Sequence, residues 1–141
     1  MSRTSLAEGI VLRAHDVGEA DRYLLIFTKE FGRVAVRAPG ARRPGSKLQC
    51  TLASAHLLLT LKESSAGLLL TQAELRSPIQ PQSLPAFAVT SQAIELLLQI
   101  FQDGDPQPEL YAQTLVFLCS CSQDPEQKFL AYGLLLLSHL G

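Results

Sequence analysis

The chain has 141 residues, the length of one domain or of two small ones. Apolar residues make up 47% and charged residues 18%, which excludes a disordered chain. The longest uncharged stretch, between Arg76 and Glu95, is broken by Pro78, Pro81 and Pro85, which excludes a membrane-spanning helix. The net charge of −1 hides a split: residues 1–78 hold 11 of the 12 Lys and Arg against 7 acids, and residues 79–141 hold one Lys against 6 acids. A half at +4 joined to a half at −5 implies two modules with different partners.

The first half reads as strands. Ile10–His15 is β-rich and ends at the turn Asp16-Val-Gly-Glu19. Arg22–Thr28 follows and closes at Lys29-Glu-Phe-Gly32. In it Tyr23, Leu25 and Phe27 alternate and are expected to fill the interior. Arg33–Arg37 alternates strictly, with Val34 and Val36 on one face and Arg33, Ala35 and Arg37 on the other. Pro39–Lys47, with two Pro and two Gly, is a loop. Ala53–Lys62 and Leu68–Leu75 are two more apolar runs, parted by Glu63–Gly67. Five short strands in about 70 residues suit a small closed barrel, which hides sheet edges.

The second half changes period. Pro78–Pro81 breaks the strand pattern, so the barrel is expected over 1–80 and a small all-α segment over 81–141. Leu84–Phe101 places Phe87, Ile94, Leu97, Leu98 and Phe101 at helical spacings, and Gly104-Asp-Pro106 stops it. Pro108–Cys121 is a second helix with Leu110, Leu115, Val116 and Leu118 inward. Asp124 can cap a third, Pro125–Leu140, with Pro125 in its first turn. Leu134–Leu137 is apolar on every side, which asks for burial between neighbours, so a missing cover is expected over this helix, either a further C-terminal region or another subunit, the alternative being that the first two helices cover it alone.

Groups for bond chemistry are sparse, and a non-enzyme without cofactor or metal is expected. His15, His56 and His139 are scattered, and His56 in its apolar strand reads as a structural or exposed ring. Cys119-Ser-Cys121 lacks the spacing and the second pair of a zinc site, and reads as two small groups packed on a helix. Asp16, Glu19 and Asp21 cluster at a turn, where pairing with Arg22 explains them better than acid–base work. No phosphate-cradling Gly-rich motif occurs. The start, Met-Ser-Arg-Thr-Ser, offers no secretory apolar core, and three cysteines suit a reducing compartment, so a cytoplasmic protein is expected.

The cations are more informative. Arg33 and Arg37 share a strand face, Arg42, Arg43 and Lys47 crowd one loop, Lys29 sits at the preceding turn, and Arg13 projects opposite Leu12. Converging on one barrel wall, they would neutralise phosphates, and arginine suits bidentate phosphate contact. The basic half has only Tyr23, Phe27 and Phe31 as rings, not the exposed row that base stacking needs. Binding is therefore expected to follow the backbone and to tolerate sequence and strandedness.

Gly18-Glu-Ala-Asp-Arg22, Phe27-Thr28, Gly32-Arg33, Gly40-Ala-Arg-Arg-Pro44 with Ser46, and Thr71-Gln-Ala-Glu-Leu75 form an ordered series. It resembles the N-terminal signature of the RecO family of bacterial recombination mediators over residues 7–78. The resemblance implies an OB-fold barrel followed by a helical domain. It implies a protein that binds single- and double-stranded DNA, anneals strands, and works with RecR to load RecA onto DNA coated by single-strand-binding protein. The matching cations are Arg22, Arg33, Arg42 and Arg43; Arg13, Lys29, Arg37 and Lys47 join them from the charge pattern. A contact to the acidic tail of single-strand-binding protein would use the helical part, whose own surplus of acids opposes it. Two other readings stay open: an OB-fold RNA-binding protein, and an interaction scaffold working through the third helix.

Overall fold

The computed structural model describes residues 3–76, 81–100 and 103–140. Five strands come first: β1 (Thr4–Val17), β2 (Asp21–Thr28), β3 (Gly32–Ala38), β4 (His56–Ser64) and β5 (Gly67–Leu75). They close into a barrel in the order β1-β2-β3-β5-β4, an OB-fold arrangement. All pairings are antiparallel except β3 with β5, which meet in parallel only at Val36–Leu68 and Arg37–Leu69. Three helices follow: α1 (Leu84–Ile100), α2 (Pro108–Ser120) and α3 (Pro125–Leu140). The expected breaks at Pro78 and the helix contact from Phe101 fall outside the described residues.

Alternate residues fill the barrel. Val11, Leu24, Ile26, Val36, Leu57, Leu59, Leu61 and Leu70 form one buried cluster. Each such side chain stabilises by about 1.5–3 kcal/mol relative to exposure. Gly9 completes the inward face of β1, because a Cβ there would lie 2.6 Å from Ile26 Cγ2. The turn from β2 to β3 is closed by Thr28, whose buried Oγ1 donates to the Gly32 carbonyl (2.7 Å) and accepts from Phe31 N–H (3.0 Å).

A second cluster joins the helices to the outside of the barrel. Ile10, Leu12 and Phe27 pack with Ala93, Leu97, Leu110, Tyr111, Phe117, Tyr132 and Leu136. Phe27 meets Tyr111 edge to face at 5.5 Å, and Phe117 stacks on Tyr132 at 4.6 Å. This layer corrects the expected contents of β2. Leu24 and Ile26 fill the barrel, Phe27 points out to the helices, and Tyr23 is exposed. A strand covered on both faces is apolar on both, so its alternation does not say which face is inside.

The first strand is corrected too. A bulge between Val11 and Arg13 inserts Leu12. Leu12 and Arg13 therefore both reach the helical layer, Leu12 in its core and Arg13 in an ion pair with Glu95 at 3.2 Å. On the helices, Phe87 and Val116 are exposed, while Ala86, Val89, Thr90, Tyr111, Thr114 and Phe117 are buried. Cys119 is exposed and only Cys121 is buried, so the pair does not pack as a unit.

Candidate nucleic-acid interface

The eight cations divide by what their guanidinium or ammonium groups touch. Arg42 clips two loops together. Its Nη2 donates to the carbonyls of Gly18 (2.7 Å) and Val17 (3.3 Å), and its Nε donates to that of Asp21 (3.2 Å). Its own N–H donates to the Ala20 carbonyl (2.8 Å). The loop after β3 is thereby fixed against the β1–β2 turn. Arg22 braces the same loop from below, donating to the Gln49 carbonyl and Thr51 Oγ1, both at 3.2 Å. Asp16 lies 3.5 Å from Arg42 and 3.9 Å from Arg22.

Asp21 holds the neighbouring corner. It accepts from Gly40 N–H (2.7 Å) and from Arg37 Nη2 and Nε (2.7 and 3.0 Å). The Gly40 amide first, and the Arg37 guanidinium next, hold its carboxyl below the usual carboxylate range. Arg37 nonetheless keeps half of its side chain in solvent.

Arg33 works elsewhere. Its Nε donates to Asp103 Oδ1 and its Nη1 to the Leu98 carbonyl, each at 2.7 Å. The Asp103 segment bridges β3 in parallel, and Gly104 N–H donates to the Arg33 carbonyl (2.9 Å). Arg33 thus fastens the α1–α2 connection and the last carbonyls of α1 to the barrel.

Arg43, Lys47 and Lys29 are exposed, and their side chains make no ion pair or hydrogen bond among the described residues. Arg43 and Lys47 stand on the loop that Arg22 and Arg42 fix, with Arg37 on the adjoining strand. Lys29 stands at the β2–β3 turn with Arg33, at the far end of β3. The eight positions therefore form a loop-end group, a turn group, and Arg13 beneath α1.

One polar group escaped sequence reading. Glu8 of β1 accepts from Tyr111 Oη of α2 (2.9 Å), and His56 Nε2 of β4 lies 3.1 Å from the same Oε2. Burial pushes the Glu8 carboxyl up, but the bonds from Tyr111 and His56 and the nearby Lys29 charge bring it below the usual range. Burial, then the Glu8 carboxylate, pushes the Tyr111 phenol far up, so it stays a donor. His56 is buried and its Nδ1 has no partner among the described residues. No sequence spacing joins residues 8, 56 and 111; only barrel closure and helix docking do. No group of three or more His, Cys, Asp or Glu able to hold a metal occurs among the described residues.

A five-stranded OB-fold barrel with a helical layer on one wall and exposed cations on a braced loop defines a class of small barrel-plus-helix proteins. Comparison with known sequences makes the family explicit. The family model described as "Recombination protein O N terminal" matches residues 1–79. DNA repair protein RecO of Bacillus cytotoxicus is 35% identical over an alignment covering 95% of this chain and 56% of that protein. DNA repair protein RecO of Cyanothece sp. is 37% identical, covering 93% of this chain and 46% of that protein. The chain belongs to the RecO family. It spans about half the length of the curated relatives it matches.

Proposed function

We propose that this chain is a DNA-binding recombination and repair protein of RecO type, acting without bond chemistry. Residues 1–80 serve as the DNA-binding domain and residues 81–141 as a helical domain for protein partners. Exposed cations meet the phosphates of single- and double-stranded DNA, which supports strand annealing and, with RecR, loading of RecA. The site of action is the bacterial cytoplasm. Single-strand-binding protein is a further partner, through the helical domain.

The observation that carries this reading is family membership together with Arg43 and Lys47 standing exposed on a loop held rigid by Arg22 and Arg42. Arg37 beside them adds a third half-exposed cation. A fixed loop presenting cations follows a backbone without ordering cost at each encounter. Arg22, Arg33, Arg42 and Arg13 contribute by positioning, their donors being turned to carbonyls and carboxylates.

Fluorescence anisotropy with a labelled single strand, a duplex and an RNA of equal length tests the reading. Comparable binding of both DNA forms is expected. Marked RNA preference would replace it with the RNA-binding reading. No binding of any of them at low salt would leave only an interaction scaffold.

A further inference from the structure

Leu24 and Ile26 fill the barrel, so Tyr23 points outward from β2, 44% exposed. The register places it between two other exposed side chains. His15 of β1 stands directly opposite Tyr23 on one side, and Arg37 of β3 directly opposite it on the other. The three form one row across the outer face of β1, β2 and β3. Neighbouring strands lie about 4.8 Å apart, so the row is about 10 Å long. We propose that this row is a stacking platform for the bases of a single DNA strand, with Tyr23 as the ring on which a base lies. The inference rests on the DNA-binding reading and adds to it a contact that phosphate neutralisation does not supply.

The helices cover only part of this wall. Phe27 meets Tyr111 of α2, Arg13 pairs with Glu95 of α1, and Arg33 donates to the end of α1. Beside the row, Leu25 and Ala35 stand opposite one another and half-buried, an apolar floor on the side towards the helices. The row itself is open. Nothing within the chain employs Tyr23: among the described residues its hydroxyl makes no hydrogen bond and its ring no ring contact, and the His15 side chain makes no hydrogen bond or ion pair.

The chemistry of the row suits an unpaired base. Every base has a π-face, and tyrosine, histidine and the guanidinium plane all stack on it. Arg37 gives its Nε and Nη2 hydrogens to Asp21, at 3.0 and 2.7 Å. Those bonds lie in the guanidinium plane, so they fix the group and leave its faces free while half of the side chain stays in solvent. The acids adjoining the row along β1 and β2, Asp16 and Asp21, are paired with Arg42 and Arg37 and do not front it as bare charges. The loop after β3 carries exposed Arg43 and Lys47, so phosphates of the same strand meet cations where the row ends. In a duplex the bases stack on one another, so the platform distinguishes single strands from double.

The chain supplies its own reporter. It has no Trp and three Tyr, and Tyr111 and Tyr132 are buried at 1% and 4%, so Tyr23 is the fluorophore a ligand can reach. The wild-type chain is titrated at low salt with oligothymidylate, an abasic strand of equal length and a duplex, reading tyrosine emission and the anisotropy of labelled probes. Oligothymidylate is expected to quench the emission, and the abasic strand and the duplex to leave it unchanged. Tyr23→Thr, which keeps strand propensity, is expected to bind oligothymidylate about tenfold more weakly and the duplex and abasic strand as wild type does. Its salt slope stays that of wild type, because stacking releases no counterions. Tyr23→Phe keeps the ring and most of the affinity. The quench is read on the wild-type chain and depends on no variant folding. Saturation by oligothymidylate without a quench, an unchanged single-strand affinity in Tyr23→Thr, or an equal loss on all three probes overturns the inference and leaves the DNA-binding reading standing. A wild-type chain that binds none of the probes overturns both.

Discussion

Arg42 and Arg43 are neighbours in sequence with opposite employments. Arg42 spends its donors on the carbonyls of residues 17, 18 and 21, whereas the Arg43 side chain stands in solvent. A Pro/Gly-rich loop suggests few contacts for either, yet the loop is held by the very arginine that a charge pattern assigns to phosphate. Arg42→Ala is expected to cost about 1–2 kcal/mol of stability, since hydrogen bonds from a charged donor are lost and three carbonyls lose a partner. Arg43→Ala with Lys47→Ala is expected to leave the unfolding free energy from urea titration within about 0.5 kcal/mol of wild type and to weaken binding of two unrelated oligonucleotides alike. Loss on one oligonucleotide only would argue for base readout. The two carboxylates lowered in the fold give a pH dependence of definite sign. Glu8 and Asp21 contribute stability that is fully present above the ordinary carboxylate range and is lost as pH falls through their depressed values. Urea unfolding should therefore show a plateau above about pH 5 and a decline below it, shallower in Glu8→Gln, where one titrating group is gone.

At the scale of elements, the joint between barrel and helices governs what else must hold. Gly32 has φ 70°, and a Cβ there would lie within 2.4 Å of the Asp105 carbonyl oxygen. The α1–α2 connection crosses directly over this glycine, and Arg33 clasps it from the next position. Gly32→Ala is expected to destabilise by about 2 kcal/mol or more, because both the backbone conformation and the close approach exclude a side chain. Tyr111→Phe keeps the edge-to-face contact with Phe27 and removes only the bond to Glu8, so a loss of about 1 kcal/mol in the unfolding free energy from urea titration is expected. These joints mark where sequence reading stops. The five strands and three helices are legible because their periods of 2 and 3.6 are set locally. Which face of β2 is inside is not legible, since Ile26 and Phe27 are both buried, on opposite sides. The bulge at Leu12 is invisible for the same reason, as it changes which residues share a side without changing composition. Arg33 reads as a surface cation until Asp103, seventy residues away, is brought to it by helix docking.

For the whole molecule, the split of charge has two physical outlets, and the structure weights them. Part of the barrel's excess positive charge is met by acids of the helical half, at Arg13–Glu95 and Arg33–Asp103, so the two halves attract through specific ion pairs. Another part is met inside the barrel by Asp16 and Asp21. Of the eight candidate cations, those left for a polyanion are Arg43, Lys47, Lys29 and the exposed half of Arg37. Binding by phosphate neutralisation releases counterions, so log affinity falls linearly with log salt, at about −0.7 per phosphate on a single strand. All eight cations acting together would give a slope near −5 to −6, whereas three or four exposed ones give about −2 to −3. A titration of labelled single-stranded DNA at several salt concentrations is expected to return the shallower slope. Arg43→Ala should reduce it by about 0.7, and Arg33→Ala should leave it unchanged. A slope steeper than about −4 would mean that Arg22, Arg33 and Arg42 release their internal partners to meet DNA, a rearrangement of the loop and the clasp on binding.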